Sequence, residues 1–115
     1  MNETERTPEC QKEYEEYRKS LGNGCPFCPI RDNKIKAEYR YWKILYNKFP
    51  YENTKNHYVI VLKRHVDNDK MRDLNNGEVQ ELWDIILMYP EMEFIHKNLS
   101  QQSVNHLHCH LIDYR

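Results

Sequence analysis

The chain has 115 residues, 39% of them hydrophobic, a length and composition that suit one domain around a modest core. Its 17 lysines and arginines nearly balance 18 acidic residues, so it lacks the basic footprint of a duplex-binding protein, and a nucleic-acid partner is not expected. No apolar run nears the roughly 20 residues that cross a bilayer, and the opening Met1-Asn2-Glu3-Thr4-Glu5-Arg6 is polar where a secretion signal turns apolar, so a cytoplasmic protein with no membrane partner is expected.

Thr7-Pro8 suits a helix start, because a hydroxyl can cap free amides and proline is preorganised for a first turn. Cys10, Tyr14, Tyr17 and Leu21 then recur at helical spacing and Gly22 offers a stop, which predicts an amphipathic helix packed on the domain. Residues 1–24 read as an N-terminal helical extension and residues 25–115 as the main domain. The stretch from Gly22 to Pro29 is rich in turn formers and suits a knuckle. Within it, Cys25 and Cys28 have a spacing that suits a metal better than a disulfide, and a tetrahedral shell needs two further ligands. A plain turn with two free thiols is the alternative. A redox pair would usually open a helix, against which Gly24 and Pro29 argue. Cys10 and Cys109 read as small apolar residues.

Tyr39 to Tyr46 is aromatic and branched and predicts a strand, followed by a loop around Pro50. His57-Tyr58-Val59-Ile60-Val61-Leu62 is too short and too β-branched to favour a helix and predicts a second strand. After the polar stretch Asp67 to Asn76, Val79, Leu82, Trp83 and Ile86 fall on one helical face, which is expected to cover the sheet in a helix ending near Pro90. Glu93 to Lys97 and Val104 to Ile112 predict two further strands, and His96 reads as a surface or strand histidine. Strands outnumber helices, and their order suggests an α+β fold with an antiparallel sheet.

The informative residues are Gln102-Ser103-Val104-Asn105-His106-Leu107-His108-Cys109-His110-Leu111-Ile112. On a strand, a period of two puts all three imidazoles on one face and Leu107, Cys109 and Leu111 on the other. Alternate positions lie about 7 Å apart, too far for adjacent pairs to share one metal unaided, but close enough for separate tasks in one groove. An imidazole attacks phosphorus well when one nitrogen is unprotonated, and a bond from its other nitrogen to a carbonyl would fix that tautomer. A strand of structural histidines is the alternative, disfavoured by the strict alternation and by His57 and His65 upstream.

The run from His106 to Ile112 resembles the His-φ-His-φ-His-φ-φ motif of the histidine triad (HIT) superfamily. The resemblance extends to Gln102-Ser103-Val104, to Asn47-Lys48-Phe49-Pro50-Tyr51, to His57 through Val66, and to Cys25-Pro26-Phe27-Cys28. The Asn47 to Tyr51 run is most similar to the branch with diadenosine polyphosphate phosphorylases; nucleoside phosphoramidase-like members are also similar. The resemblance implies an α+β HIT-like domain over residues 25–115, with an antiparallel sheet of about five strands covered by helices. It implies a nucleotidyl hydrolase or transferase in which His108 attacks the α-phosphorus and becomes a covalent nucleotidyl-histidine. His110 and Ser103 would hold the α-phosphate oxygens together with the backbone around Gln102 and Val104. His57 would support the triad, and Asn47 would contact the ribose. It further implies a structural zinc held by Cys25, Cys28, His65 and His106, and a homodimer formed through a strand edge or the Val79 to Ile86 helix. Asn98-Leu99-Ser100-Gln101 stands where most relatives have a glycine-rich turn. That departure leaves a noncatalytic nucleotide-binding module as the alternative function.

Overall fold

The computed structural model describes residues 7–20, 34–47, 50–67, 70–96 and 106–115. Helix α1, Pro8–Ser20, starts at its expected cap: Thr7 Oγ1 accepts from the Cys10 amide at 3.2 Å and the Thr7 carbonyl accepts from the Gln11 amide at 2.9 Å. Cys10 Sγ faces the Pro50 carbonyl at 3.9 Å. The expected helix stop at Gly22 and the knuckle around Cys25 and Cys28 lie outside the described residues.

Strands β1 (Ile35–Glu38), β2 (Trp42–Tyr46), β3 (Thr54–Leu62), β4 (Glu93–Ile95) and β5 (His108–Tyr114) form one antiparallel sheet in the order β1-β2-β3-β5-β4. Helix α2, Asn76–Leu87, packs Leu82 and Ile85 onto one face of it, against Trp42, Ile44, Ile60, Leu62, Leu107 and Leu111. This is the α+β architecture expected from the sequence. Those six sheet and loop residues are all 0% exposed, and each such burial contributes about 1.5–3 kcal/mol. The opposite face carries a smaller apolar cluster of Leu45, Val59 and Val61. Both faces of the central strands are therefore buried. No helix among the described residues is long and apolar enough to cross a membrane.

Two expectations are corrected. The single strand from Tyr39 to Tyr46 is instead a turn leading into β2, and β1 precedes it in a segment that had no assignment. The Tyr39 amide donates to the Trp42 carbonyl at 2.8 Å, closing a tight hairpin. Glu81 Oε1, from α2, accepts from the Tyr41 and Trp42 amides at 2.7 and 3.0 Å and so takes up donors at the start of β2. The second correction is the rotation of α2. Leu82 and Ile86 lie toward the core as expected, but Val79 and Trp83 are 40% and 56% exposed. Glu78, Leu82 and Ile85 are the buried positions. Strand ends also move: Thr54, Lys55 and Asn56 extend β3, and β5 begins at His108 and continues to Tyr114.

The rotation of α2 follows from its first turn. Asn75 Oδ1 accepts from the Glu78 amide at 2.8 Å and Glu78 Oε1 accepts from the Asn75 amide at 2.8 Å, a reciprocal capping box. The same carboxylate receives Arg64 in a fork, Nε to Oε2 at 2.7 Å and an Nη2 bond to Oε1 at 2.9 Å. The Glu78 carbonyl accepts from Trp42 Nε1 at 2.8 Å. Gly77 lets the Tyr41 ring lie against this turn, since a Cβ there would stand 3.0 Å from Tyr41 Cε2.

Hydrogen bonding from Arg64 holds the Glu78 carboxyl below the usual carboxylate range, against burial, which pushes it up. A carboxyl lowered on folding contributes stability above its unfolded value and loses it as pH falls through the folded one. Glu78→Gln should therefore lower unfolding free energy by about 1–3 kcal/mol near neutral pH. The gap to wild type should shrink as pH falls below the ordinary carboxylate range, as urea denaturation across that range would read.

Candidate functional site

Strand register brings the histidines together. Val61 lies opposite His108 and Val59 opposite His110, so His57, Val59 and Val61 of β3 share a face with His108 and His110 of β5. Lys43 and Leu45 of β2, opposite Val61 and Val59, lie on that face, as does Ile95 of β4, opposite His110. Leu107, Cys109 and Leu111 enter the core under α2. The alternation read from the sequence is thus realised for His108 and His110, while His106 precedes β5. His57, His106, His108 and His110 are 6%, 0%, 3% and 5% exposed, so their ring nitrogens depend on protein partners more than on solvent.

Those partners fix the tautomers of the neutral rings. His108 Nδ1 lies 2.6 Å from the His106 carbonyl oxygen. A carbonyl can only accept, so Nδ1 carries the proton and Nε2 keeps its lone pair. His57 Nδ1 accepts from the Tyr51 amide at 3.1 Å, which places the His57 proton on Nε2. That nitrogen donates to His110 Nδ1 at 2.8 Å, so the His110 proton sits on Nε2. One backbone amide sets two imidazoles in series. Asn47 Nδ2 is 3.3 Å from His57 Nδ1 and 3.1 Å from Nε2. Such similar distances to both nitrogens place the amide beside the ring, out of line with either lone pair, so the Tyr51 amide decides the tautomer. The Tyr51 ring lies 4.5 Å from His57 and stacks on His110 at 5.4 Å.

A second pair lies at the start of the triad. His106 Nε2 donates to the Leu62 carbonyl at 2.7 Å, leaving Nδ1 with a lone pair that faces His65 Nδ1 at 3.1 Å. Asp67 Oδ1 stands 3.5 Å from His65 Nε2. Burial holds His106 below the ordinary imidazole value, opposed by the Leu62 bond and reinforced by His65 and Lys43. His65 Nδ1 donates to the His106 Nδ1 lone pair, and a cation between the two nitrogens would take the place of the shared proton. Two nitrogens about 2.0–2.1 Å from a tetrahedral zinc stand about 3.3 Å apart, so this pair fits as half of such a shell. The other expected ligands, Cys25 and Cys28, lie outside the described residues, as do Gln102, Ser103 and Val104. Among the described residues no group of three or more potential metal ligands occurs.

The site also contains groups the sequence did not single out. Tyr51 acts through its amide and its ring, Lys43 is buried on the histidine face at 3% exposure, and Asp67 stands behind His65. The Tyr51 ring was within reach of sequence reasoning, since it closes the Asn47 to Tyr51 run; its amide carries no side-chain signal.

No protein-family model matches the sequence, and no curated protein matches it. Solved structures do match. A HIT family hydrolase from Clostridium thermocellum aligns with a TM-score of 0.63 at 23% identity, over 81% of this chain and 92% of that one. A hypothetical histidine triad nucleotide-binding protein from Sulfolobus tokodaii gives a TM-score of 0.66 at 18% identity, over 78% and 68%. The fold is that of the histidine triad proteins. A histidine triad protein from Clostridium difficile gives 0.62 at 20% identity, over 79% of this chain and 90% of that one. At these identities the likeness is one of fold, and the arrangement of imidazoles on it is this chain's own.

The tautomers are directly measurable. In nitrogen-15 NMR of labelled imidazoles near neutral pH, His108 should be protonated on Nδ1, and His57 and His110 on Nε2. His57→Ala should release the His110 preference while leaving that of His108 in place; a His108 proton on Nε2 in wild type would contradict the assignment.

Proposed function

We propose that the chain is a cytoplasmic histidine triad hydrolase or transferase acting on the α-phosphate of nucleotide conjugates, such as nucleoside phosphoramidates or dinucleoside polyphosphates. The observation that carries this reading is the 2.6 Å bond from His108 Nδ1 to the His106 carbonyl, which leaves Nε2 as a neutral nucleophile. Two of the similar structures are named a hydrolase and a nucleotide-binding protein, which supports it.

In the first half-reaction His108 Nε2 attacks the α-phosphorus, an N–P bond forms, and the bond to the leaving group breaks. The leaving group departs with the electron pair and takes up a proton. His110 Nε2–H, set by the relay from Tyr51 and His57, is the donor aimed at a phosphate oxygen or the leaving atom. Ser103 and the backbone around Gln102 and Val104 are assigned as further donors to the charge that develops on phosphorus oxygens. Asn47, beside His57, is assigned to the ribose. In the second half-reaction water or another acceptor attacks phosphorus and gives up a proton, which replaces the one taken by the leaving group; the N–P bond breaks, and Nε2 regains its lone pair.

A structural zinc on Cys25, Cys28, His65 and His106 completes the proposal, supported by the facing Nδ1 atoms of the two histidines. Bound there, it would crosslink the knuckle to the sheet and supply stability without entering the reaction.

Intact-protein mass spectrometry after exposure to an adenosine phosphoramidate, and separately to diadenosine tetraphosphate, tests the chemistry. Wild type should show an adenylyl adduct or release AMP, and His108→Ala should lower turnover at least about a thousandfold. Nucleotide binding without either product would make the chain a binding module.

A second copy of the chain is the proposed partner. Val79, Trp83 and Leu87 line the outer side of α2 at 40%, 56% and 71% exposure, and β4 forms one edge of the sheet. Light scattering should report a dimer for wild type and a monomer for Trp83→Glu; a monomeric wild type at high concentration would rule the assembly out.

A further inference from the structure

The segment from Lys63 to Asp67 follows β3, carries His65, and belongs to no strand or helix. His65 is 45% exposed along its side chain, so packing alone does little to hold its imidazole opposite His106. Its backbone is nevertheless fixed on both sides. The Lys63 amide donates to the Tyr41 carbonyl at 2.8 Å, and the Val66 carbonyl accepts from the Leu107 amide at 2.7 Å. Between them, Arg64 reaches away from the sheet to α2. Its guanidinium makes the two bonds to the Glu78 carboxylate and a third, from Nη2 to the Asp73 carbonyl, at 3.0 Å. The Glu78 side chain is 2% exposed and the Arg64 side chain 50% exposed. The carboxylate is thus the fixed end of a strut and the residue adjoining His65 its movable end.

We infer that the Arg64–Glu78 fork is a positioning device for His65, holding its Nδ1 opposite His106 Nδ1 so that metal affinity depends on the first turn of α2. The inference rests on the zinc reading above. Neither residue touches the metal. Arg64 fixes the main chain beside His65, and Glu78 fixes Arg64 because its carboxylate is already held by the Asn75 amide. A guanidinium is suited to this work, since its planar fork sets direction as well as distance. Lysine would keep the charge and lose the direction.

Zinc competition with a chromophoric chelator on the full chain tests the inference, with cobalt(II) absorption as a second readout of ligand geometry. Arg64→Gln, at a half-exposed position, and Glu78→Gln should each weaken zinc binding by about ten- to a hundredfold, the range typical of outer-shell partners. The double variant should be no weaker than the worse single one, because the two side chains act as one unit. Arg64→Lys should recover only part of the affinity. Ile85→Val, which trims the buried core face of α2, should lower the melting temperature and leave zinc affinity and the cobalt spectrum unchanged.

Wild-type zinc affinity in Arg64→Gln and Glu78→Gln would overturn the positioning role while leaving the zinc reading intact. An equal loss in Ile85→Val would overturn it too, by assigning the effect to general destabilisation. A wild-type chain that takes up no zinc would overturn the metal reading itself, and the inference with it.

Discussion

The pairing of β3 with β5 is the constraint on which the rest depends. Because side chains alternate along a strand, the register that puts Val61 opposite His108 also puts Ile60 opposite Cys109 in the core. A slip of one residue would carry the imidazoles under α2 and push Leu107, Cys109 and Leu111 to the other side. Burial of apolar side chains therefore orients the histidines indirectly. The same pairing brings His57 and His110 into direct hydrogen bonding across strands.

Within that frame the histidines divide into two groups with opposite electronic requirements. His57, His108 and His110 are linked to acceptors and donors that give each ring one defined tautomer. His65 and His106 instead share one proton between two Nδ1 atoms, at a spacing that a cation could occupy. His106 serves both groups, since its ring faces His65 while its carbonyl holds His108. A displacement of His106 would thus disturb the tautomer two residues away through a backbone atom, without any change in the His108 side chain.

The triad was legible in the sequence because three identical residues at a period of two leave little freedom in a sheet with two buried faces. The five-stranded architecture was legible for a similar reason: His57 to Leu62 and His106 to Ile112 are short apolar or alternating runs. The rotation of α2 was harder to read. Val79, Trp83 and Leu87 form one apolar stripe and Leu82 and Ile85 another, and the stripe that is buried also includes Glu78, which a polar pattern places outside. The capping box with Asn75 and the fork from the distant Arg64 together explain why a carboxylate is there. The hairpin before β2 was masked by an aromatic-rich run with no glycine or proline, and its turn is held by Glu81 from far along the chain. The Tyr51 amide could not be read at all, because every residue but proline has one.

Cys109 stands between the second and third histidines of the triad, yet it faces the other way. It is 0% exposed, and burial pushes its thiol up to about 12, so it is neither a thiolate nor reachable in the closed sheet. A thiol reagent can reach it only when the core opens, by α2 lifting from the sheet or β5 separating from its neighbours. The sequence therefore carries a built-in clock at its most informative strand: the rate at which Cys109 becomes labelled counts openings of the core between α2 and the sheet, on the side away from the histidine face.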